Sequence, residues 1–273
     1  METARNELNV AYGPDPAQVY DVWLPDADFP PTGAPPPTEM DSPLPIEDSS
    51  PTGAPPPTVV VIHGGFWRGI WDRSHATDQA RRFAETGHPT AVLEYRRVGM
   101  PGGAYPGTLH DVREGLAAIA ADPRFPAPRV LVGHSAGGQL ALWALDECEG
   151  FAGVVVLGGC VDLGLAAERN LGNGAVFDFL GGSPDEVPER YADADPAVRL
   201  PPSAPVILIH GIADDEVPFE ISESYLAKAT AAGSQVSHIR LDGVGHYELI
   251  DPVDPAFDAV LTAIDGFGGQ RKR

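Results

Sequence analysis

Short, largely aliphatic runs at 59–62, 90–95, 130–132, 154–157 and 206–209, and a more polar strand-like run at 236–241, alternate with amphipathic segments at 75–86, 109–121, 136–147, 219–232 and 255–267. A strand whose residues are apolar on both sides must be buried on both faces. Strands of that kind, separated by helices, form a mostly parallel, doubly wound sheet with helices on both faces. A further run at 19–24 (VYDVWL) reads as an N-terminal strand, and Thr108 reads as the cap of the helix at 109–121. The crossovers are expected to be right-handed, and ligands are expected at the carboxyl ends of the strands. A length of 273 residues with 43% hydrophobic content suits a single α/β domain over 1–273.

Two stretches break the rhythm. Residues 26–58 are dense in proline and contain a perfect repeat, PTGAPPPT at 31–38 and again at 51–58. Two polar, proline-rich copies cannot bury a core, so this reads as a duplicated surface-loop insertion, extended and mobile, with a PxxP-type ligand role as the alternative. The second stretch, 158–205, is too long for a plain connection in a compact domain and reads as a small helical cap over the strand ends.

Four short motifs follow aliphatic runs: His63-Gly64-Gly65-Phe66-Trp67, Gly133-His134-Ser135-Ala136-Gly137, His210 through Pro218 (HGIADDEVP), and Gly245-His246-Tyr247. The second has the form G-x-S-x-G, a weak signal alone. Here it lies between a short strand and an apolar helix start, which is the strand–turn–helix context of a nucleophile elbow. The order Ser, Asp, His along the chain is that of an α/β-hydrolase triad. Ser135 is the candidate nucleophile, since a serine hydroxyl needs a base to take its proton during attack. His246 is the candidate base. Asp214 is the candidate orienter of its imidazole, with Asp215 as runner-up. Gly64 and Gly65 allow close backbone approach, so the N–H groups of Gly65, Phe66 and Ala136 are the candidate oxyanion donors.

Phe66, Trp67 and Tyr247 adjoin these positions, and Phe177 and Phe179 lie in the cap segment. Trp67, Phe177, Phe179 and Tyr247 are the candidate substrate-binding residues, although aromatics at such positions either wall a pocket or fill the core. Among the other histidines, His134 is expected to point away from the nucleophile, and His63 and His210 to brace loops. His75, His88, His110 and His238 are expected on surfaces or helices. No His-x-His or His-Glu-x-x-His spacing occurs, so neither a metal site nor a cofactor is expected.

The motifs, with Glu94-Tyr95-Arg96 and Gly245–Leu249, resemble those of the serine α/β-hydrolase esterases and lipases related to hormone-sensitive lipase. Within that group the nearest resemblance is to serine-type kynurenine formamidases. It covers about residues 8–265 apart from the insertion. It implies hydrolysis of a small ester or an aryl N-formyl amide through an acyl-enzyme. The chain departs from the lipase pattern at Phe66, where a third glycine is usual, and the insertion belongs to neither pattern. A peptidase of the prolyl-oligopeptidase lineage is the nearest enzymatic rival, disfavoured because no propeller or large second domain is visible. A catalytically silent hydrolase fold used as a binding module is the rival from another class.

Composition narrows the partners. A formal net charge of −21 argues against nucleic acid and anionic membranes and leaves a small-molecule substrate; self-association into a homodimer is left open. The N-terminus lacks a signal-peptide pattern, no apolar run approaches spanning length, and Cys148 and Cys160 read as small core residues. These features suggest a reducing, cytoplasmic setting.

Overall fold

A computed structural model describes residues 5–26 and 55–268. They form one eight-stranded sheet. The strands are β1 (Arg5–Ala11), β2 (Val19–Leu24), β3 (Thr58–Ile62), β4 (Thr90–Leu93), β5 (Arg129–His134), β6 (Gly153–Leu157), β7 (Val206–Gly211) and β8 (Val236–Leu241). The spatial order is β1-β2-β4-β3-β5-β6-β7-β8. Pairing is antiparallel for β1–β2 and β2–β4 and parallel from β4 to β8. This is the α/β-hydrolase fold.

The period of two along each strand divides the core. Val60, Ile62, Leu131, Val154, Val156 and Leu208 face one side, with side chains of α2 (Gly107–Ala121), α3 (Ala136–Glu147) and α7 (Glu220–Ala231). Val59, Val61, Val130, Val132, Val155 and Ile209 face the other, with α1 (Thr77–Glu85) and α8 (Phe257–Asp265). Burying a Val, Leu or Ile side chain is worth roughly 1.5–3 kcal/mol. The central strands therefore contribute twice over, which is why their sequences show no polar alternation. Between β6 and β7 run three short helices, α4 (Leu163–Glu168), α5 (Ala175–Leu180) and α6 (Pro188–Ala194). Their apolar side chains join the core on the α3 side of the sheet. Among the described residues no helix is long and apolar enough to cross a membrane.

Away from the site, the structure departs from the sequence reading at β1, Thr108 and His88. β1 went unseen: its residues are mostly polar, it lies at the sheet edge, and its register shifts between Glu7 and Val10. Thr108 does not cap α2, whose N-cap position is Pro106; its hydroxyl donates instead to the Arg96 carbonyl at 2.6 Å. His88 is buried rather than on the surface, bonded through Nδ1 to the Pro57 carbonyl at 2.9 Å and facing Asp265 at 3.2 Å.

The expected proline-rich insertion lies outside the described residues apart from its ends. The last residues of the second repeat are anchored. Besides the His88 contact, the Thr58 hydroxyl donates to the Pro126 carbonyl at 2.7 Å and the Thr58 N–H to the Pro128 carbonyl at 2.9 Å. Deleting residues 39–58 would place the first PTGAPPPT directly before Val59, so that Pro37 and Thr38 take over the roles of Pro57 and Thr58. Loop-closure entropy changes by only about 0.6 kcal/mol per doubling of length. The deletion variant should therefore melt within a few degrees of the full chain in differential scanning calorimetry. A drop of ten degrees or more would show that the deleted unit itself packs on the domain.

Candidate active site

Ser135 occupies the turn between β5 and α3 with φ +55° and ψ −122°. A non-glycine residue held there stores on the order of 1–3 kcal/mol of strain, so neighbouring contacts must impose it. They are present: the Ser135 N–H donates to the Leu157 carbonyl at 2.9 Å, and its carbonyl accepts from Gly138 at 2.9 Å and Cys160 at 3.1 Å. Glycine is required at position 137, where a Cβ would lie 2.0 Å from the Ile62 carbonyl oxygen and 2.4 Å from that of His63. The first turn of α3 therefore lies directly against the end of β3.

Asp214 and His246 come from the loops after β7 and β8. These loops are stitched by Ile212 N–H to the Leu241 carbonyl at 2.9 Å and Ala213 N–H to the Val244 carbonyl at 3.0 Å. His246 Nδ1 lies 2.6 Å from Asp214 Oδ2. Asp214 Oδ1 accepts the N–H groups of Glu216 at 3.0 Å and Val217 at 2.8 Å, and His210 Nε2 approaches Oδ2 at 3.1 Å. His210 Nε2 also faces the Val217 carbonyl at 2.9 Å, while its Nδ1 faces the Ser222 hydroxyl at 2.7 Å. These partners assign the Nε2–H tautomer to His210, with Ser222 donating to Nδ1. Burial pushes the Asp214 carboxyl up, but the bonds from His210 and His246 outweigh it and hold the group below the ordinary carboxylate range. Asp215 is exposed and does not compete for the role.

The end of β6 joins the two halves. Leu157 accepts the Ser135 N–H. The next residue, Gly158, abuts Asp214 and His246: a Cβ there would lie 3.0 Å from Asp214 Oδ2 and 3.1 Å from His246 Nδ1. Ser135, Asp214 and His246 are all nearly buried. The Ser135 hydroxyl makes no hydrogen bond among the described residues, and such contacts commonly tighten only when substrate is bound.

His134 does not point away from the site. Its ring packs on that of His246, with centroids 4.4 Å apart, and its Nε2 lies 3.1 Å from the His246 carbonyl. Burial, followed by the proximity of His246, holds its pKa well below the usual histidine value. The ring is therefore neutral, Nε2–H donates to His246, and Nδ1 is left without a partner.

The loop after β3 approaches the elbow through Gly64, where a Cβ would lie 2.9 Å from both the His134 carbonyl and Ser135 Cβ. Gly65, Phe66 and Trp67 follow with φ of +107°, +50° and +55°. The N–H groups of Gly65, Phe66 and Ala136 make no hydrogen bond to another described residue. Behind the loop is a buried charge cluster that the sequence reading missed. Glu94 meets His63 Nε2 at 2.9 Å, the Tyr95 N–H at 2.8 Å and the Arg97 guanidinium. Burial raises the Glu94 carboxyl, yet His63 and Arg97 bring it below its ordinary value. Tyr95 stacks on His63 at 4.5 Å and donates its hydroxyl to the His63 carbonyl at 2.7 Å. His63 and His210 thus brace loops, as their positions imply.

Of the expected substrate-binding aromatics, Trp67 and Phe179 are corrected to core. Both are 0% exposed, and their rings stack 4.8 Å apart at an interplanar angle of 4°. Phe177 is half-buried. Tyr247 is 57% exposed, with its ring 5.2 Å from His246 and 6.2 Å from His134. Trp71, not singled out from the sequence, is 48% exposed, and its Cβ lies 2.4 Å from where a Cβ on Gly65 would stand. The sequence offers two tryptophans four residues apart and no signal for which one faces outward.

If Asp214 orients the base, Asp214→Asn should lower kcat by about 10⁴-fold through the wrong imidazole tautomer. Asp215→Asn should stay within twofold of the parent. Steady-state kinetics on a chromogenic ester decides, and the reverse ranking would transfer the role to Asp215.

A sequence model of the prolyl oligopeptidase family matches residues 107–252, more than half of the chain, from α2 to beyond His246. Esterase LipC of Mycobacterium tuberculosis (strain ATCC 25618 / H37Rv) is 28% identical over 269 residues, covering 89% of this chain and 60% of LipC. The chain thus spans less than two thirds of the length of that relative. Among solved structures, a truncated carbohydrate esterase from gut microbiota superposes with a TM-score of 0.77 at 17% identity, covering 98% of each chain. Esterase B from Lactobacillus rhamnosis (HN001) gives 0.75 at 18% identity, over 97% of this chain and 85% of that one. The lineage disfavoured above for want of a propeller is the one that matches, over the segment carrying Ser135, Asp214 and His246. The chain belongs to the prolyl oligopeptidase family.

Proposed function

We propose that the protein is a serine hydrolase that cleaves small carboxylic esters or aryl N-formyl amides through an acyl-enzyme on Ser135. The observation that carries this reading is the 2.6 Å His246–Asp214 contact, set against the same β6 terminus that binds the Ser135 turn. His246 Nε2 takes the hydroxyl proton as Ser135 Oγ attacks the carbonyl carbon. The developing oxyanion is met by the N–H groups of Gly65, Phe66 and Ala136. Collapse expels the alcohol or amine, which receives its proton from His246. Water repeats the sequence and releases the carboxylic acid, formic acid in the case of a formamide. The ester half of the reading is supported by the esterase names of the relatives, and the formamide half by the His63-Gly64-Gly65-Phe66-Trp67 motif alone. The two free cysteines suit a reducing compartment, on which a cytoplasmic placement rests.

The aryl-side wall passes from Trp67 to Trp71 and Tyr247, exposed beside the oxyanion glycine and the base. An aromatic pair with a planar leaving group is worth about 0.5–1.5 kcal/mol. The test is a turnover panel of p-nitrophenyl acetate, butyrate and palmitate, ethyl butyrate, N-formylkynurenine and a prolyl p-nitroanilide. The short aryl esters should be fastest. Trp71→Ala should raise KM for them roughly two- to tenfold, the equivalent of that pair energy, and spare ethyl butyrate. The family match favours a second reading, a small peptidase, which a dominant prolyl-anilide rate would establish. Preference for palmitate would remove the aryl wall, and no turnover on any member would indicate a binding module.

A further inference from the structure

We propose that Gln139 is a positioning residue for the oxyanion hole, locking the loop that carries Gly65 and Phe66 to the helix that carries Ser135 and to the cap. The inference rests on the serine-hydrolase reading above. Gln139 lies four residues beyond Ser135 on α3 and is completely buried. Its Oε1 accepts the Trp67 indole N–H at 3.0 Å, and its Nε2 donates to the Ala194 carbonyl, at the end of α6, at 2.8 Å. A fully buried amide joining three separate segments is costly to disturb, because each freed partner is left desolvated.

The loop needs such a constraint. Phe66 and Trp67 both hold φ in the left-handed region, which costs non-glycine residues on the order of 1 kcal/mol or more each. The conformation persists because it is clasped. The Trp67 ring stacks on Phe179 of α5, and its carbonyl accepts the Val98 N–H at 2.8 Å. Arg68 reaches the Asn173 carbonyl at 3.2 Å and Asp178 at 3.1 Å. Phe66 lies against Gly172, where a Cβ would stand 2.6 Å from its ring. All but the Val98 bond, which ties the loop to the β4–α2 connection, bind the loop to the cap. Gln139 binds the loop to α3, whose first N–H, that of Ala136, is the third candidate donor. It therefore fixes the distance between donors that come from different parts of the chain. Catalytic donors must be held to about 0.5 Å, and a misplacement of about 1 Å can cost 10²-fold.

The test compares Gln139→Met, Trp67→Phe and the double variant, each assayed well below its own melting temperature. Gln139→Met keeps the length and loses both hydrogen bonds; Trp67→Phe keeps a ring on Phe179 and loses the N–H. Each single variant should lower kcat by about 10–100-fold with KM within threefold, since the lost interaction acts in the transition state. The double variant should be no worse than the poorer single one, because both break one link. Binding of a boronic acid that forms a tetrahedral adduct on serine should weaken by the same factor as kcat/KM. Gln139→Glu adds a pH signature. One carboxyl oxygen can still accept from Trp67, but the other faces the Ala194 carbonyl and is satisfied only when protonated. Its kcat relative to the parent should therefore rise as pH falls from 8 to 6. Lowered melting temperatures with unchanged kcat, a change in KM alone, or additive effects in the double variant would overturn the proposal while leaving the hydrolase reading intact. A parent protein without turnover or boronate binding would overturn both.

Discussion

The site depends on how closely the first turn of α3 lies against the end of β3. At Gly137 there is no room for a single carbon atom between the helix and the carbonyls of Ile62 and His63. Gly64 makes the reciprocal approach from the other side, onto His134 and Ser135. Because the contact is backbone to backbone, side-chain motion cannot loosen it. It fixes the nucleophile turn relative to the loop that would receive negative charge. The two segments are also the strained ones, with Ser135, Phe66 and Trp67 all at positive φ. Strain of this kind survives only where the surroundings over-determine the backbone. Here the sheet, α3 and the cap all do so.

Charge inside the site follows the same economy of space. A buried carboxylate is tolerable only when paired and hydrogen-bonded. Asp214 lies between His246 and His210 with two backbone N–H groups on its other oxygen. Glu94 is closed in by His63, Arg97 and the Tyr95 N–H. The first cluster anchors His246, and the second anchors the loop after β3. His134 completes the arrangement by remaining neutral. It lies against the ring that becomes an imidazolium in the proposed mechanism, and a second positive charge at 4.4 Å would oppose that step.

What could be read from the sequence follows from how local each signal is. Strands buried on both faces show themselves as largely aliphatic runs, so β3 to β7 were legible to within a few residues, and β8 by the alternation of Val236, Ile239 and Leu241 with polar residues. Ser135, Asp214 and His246 stood out as candidates because each ends or follows such a run, in an order that few folds use, and the structure gathers them around the end of β6. β1 was not legible, since a polar edge strand is held by pairing with β2 rather than by its own pattern. Trp67 was expected at the pocket and lies in the core, because three successive positive φ values turn the loop, and the facing of side chains beyond such a turn is a tertiary fact. Gln139 reads as one polar residue in an apolar helix. Its partners lie 72 and 55 residues away, and nothing local points to them.

The central claim is that Ser135 carries the acyl group. The direct measurement is mass spectrometry of the intact chain and its peptides after reaction with a serine-directed fluorophosphonate, with Ser135→Ala as the control. The account predicts a single adduct on the peptide spanning the β5–α3 turn, simultaneous loss of esterase activity, and neither adduct nor turnover in a folded Ser135→Ala variant. An adduct on a different serine, or full turnover by Ser135→Ala, would contradict it.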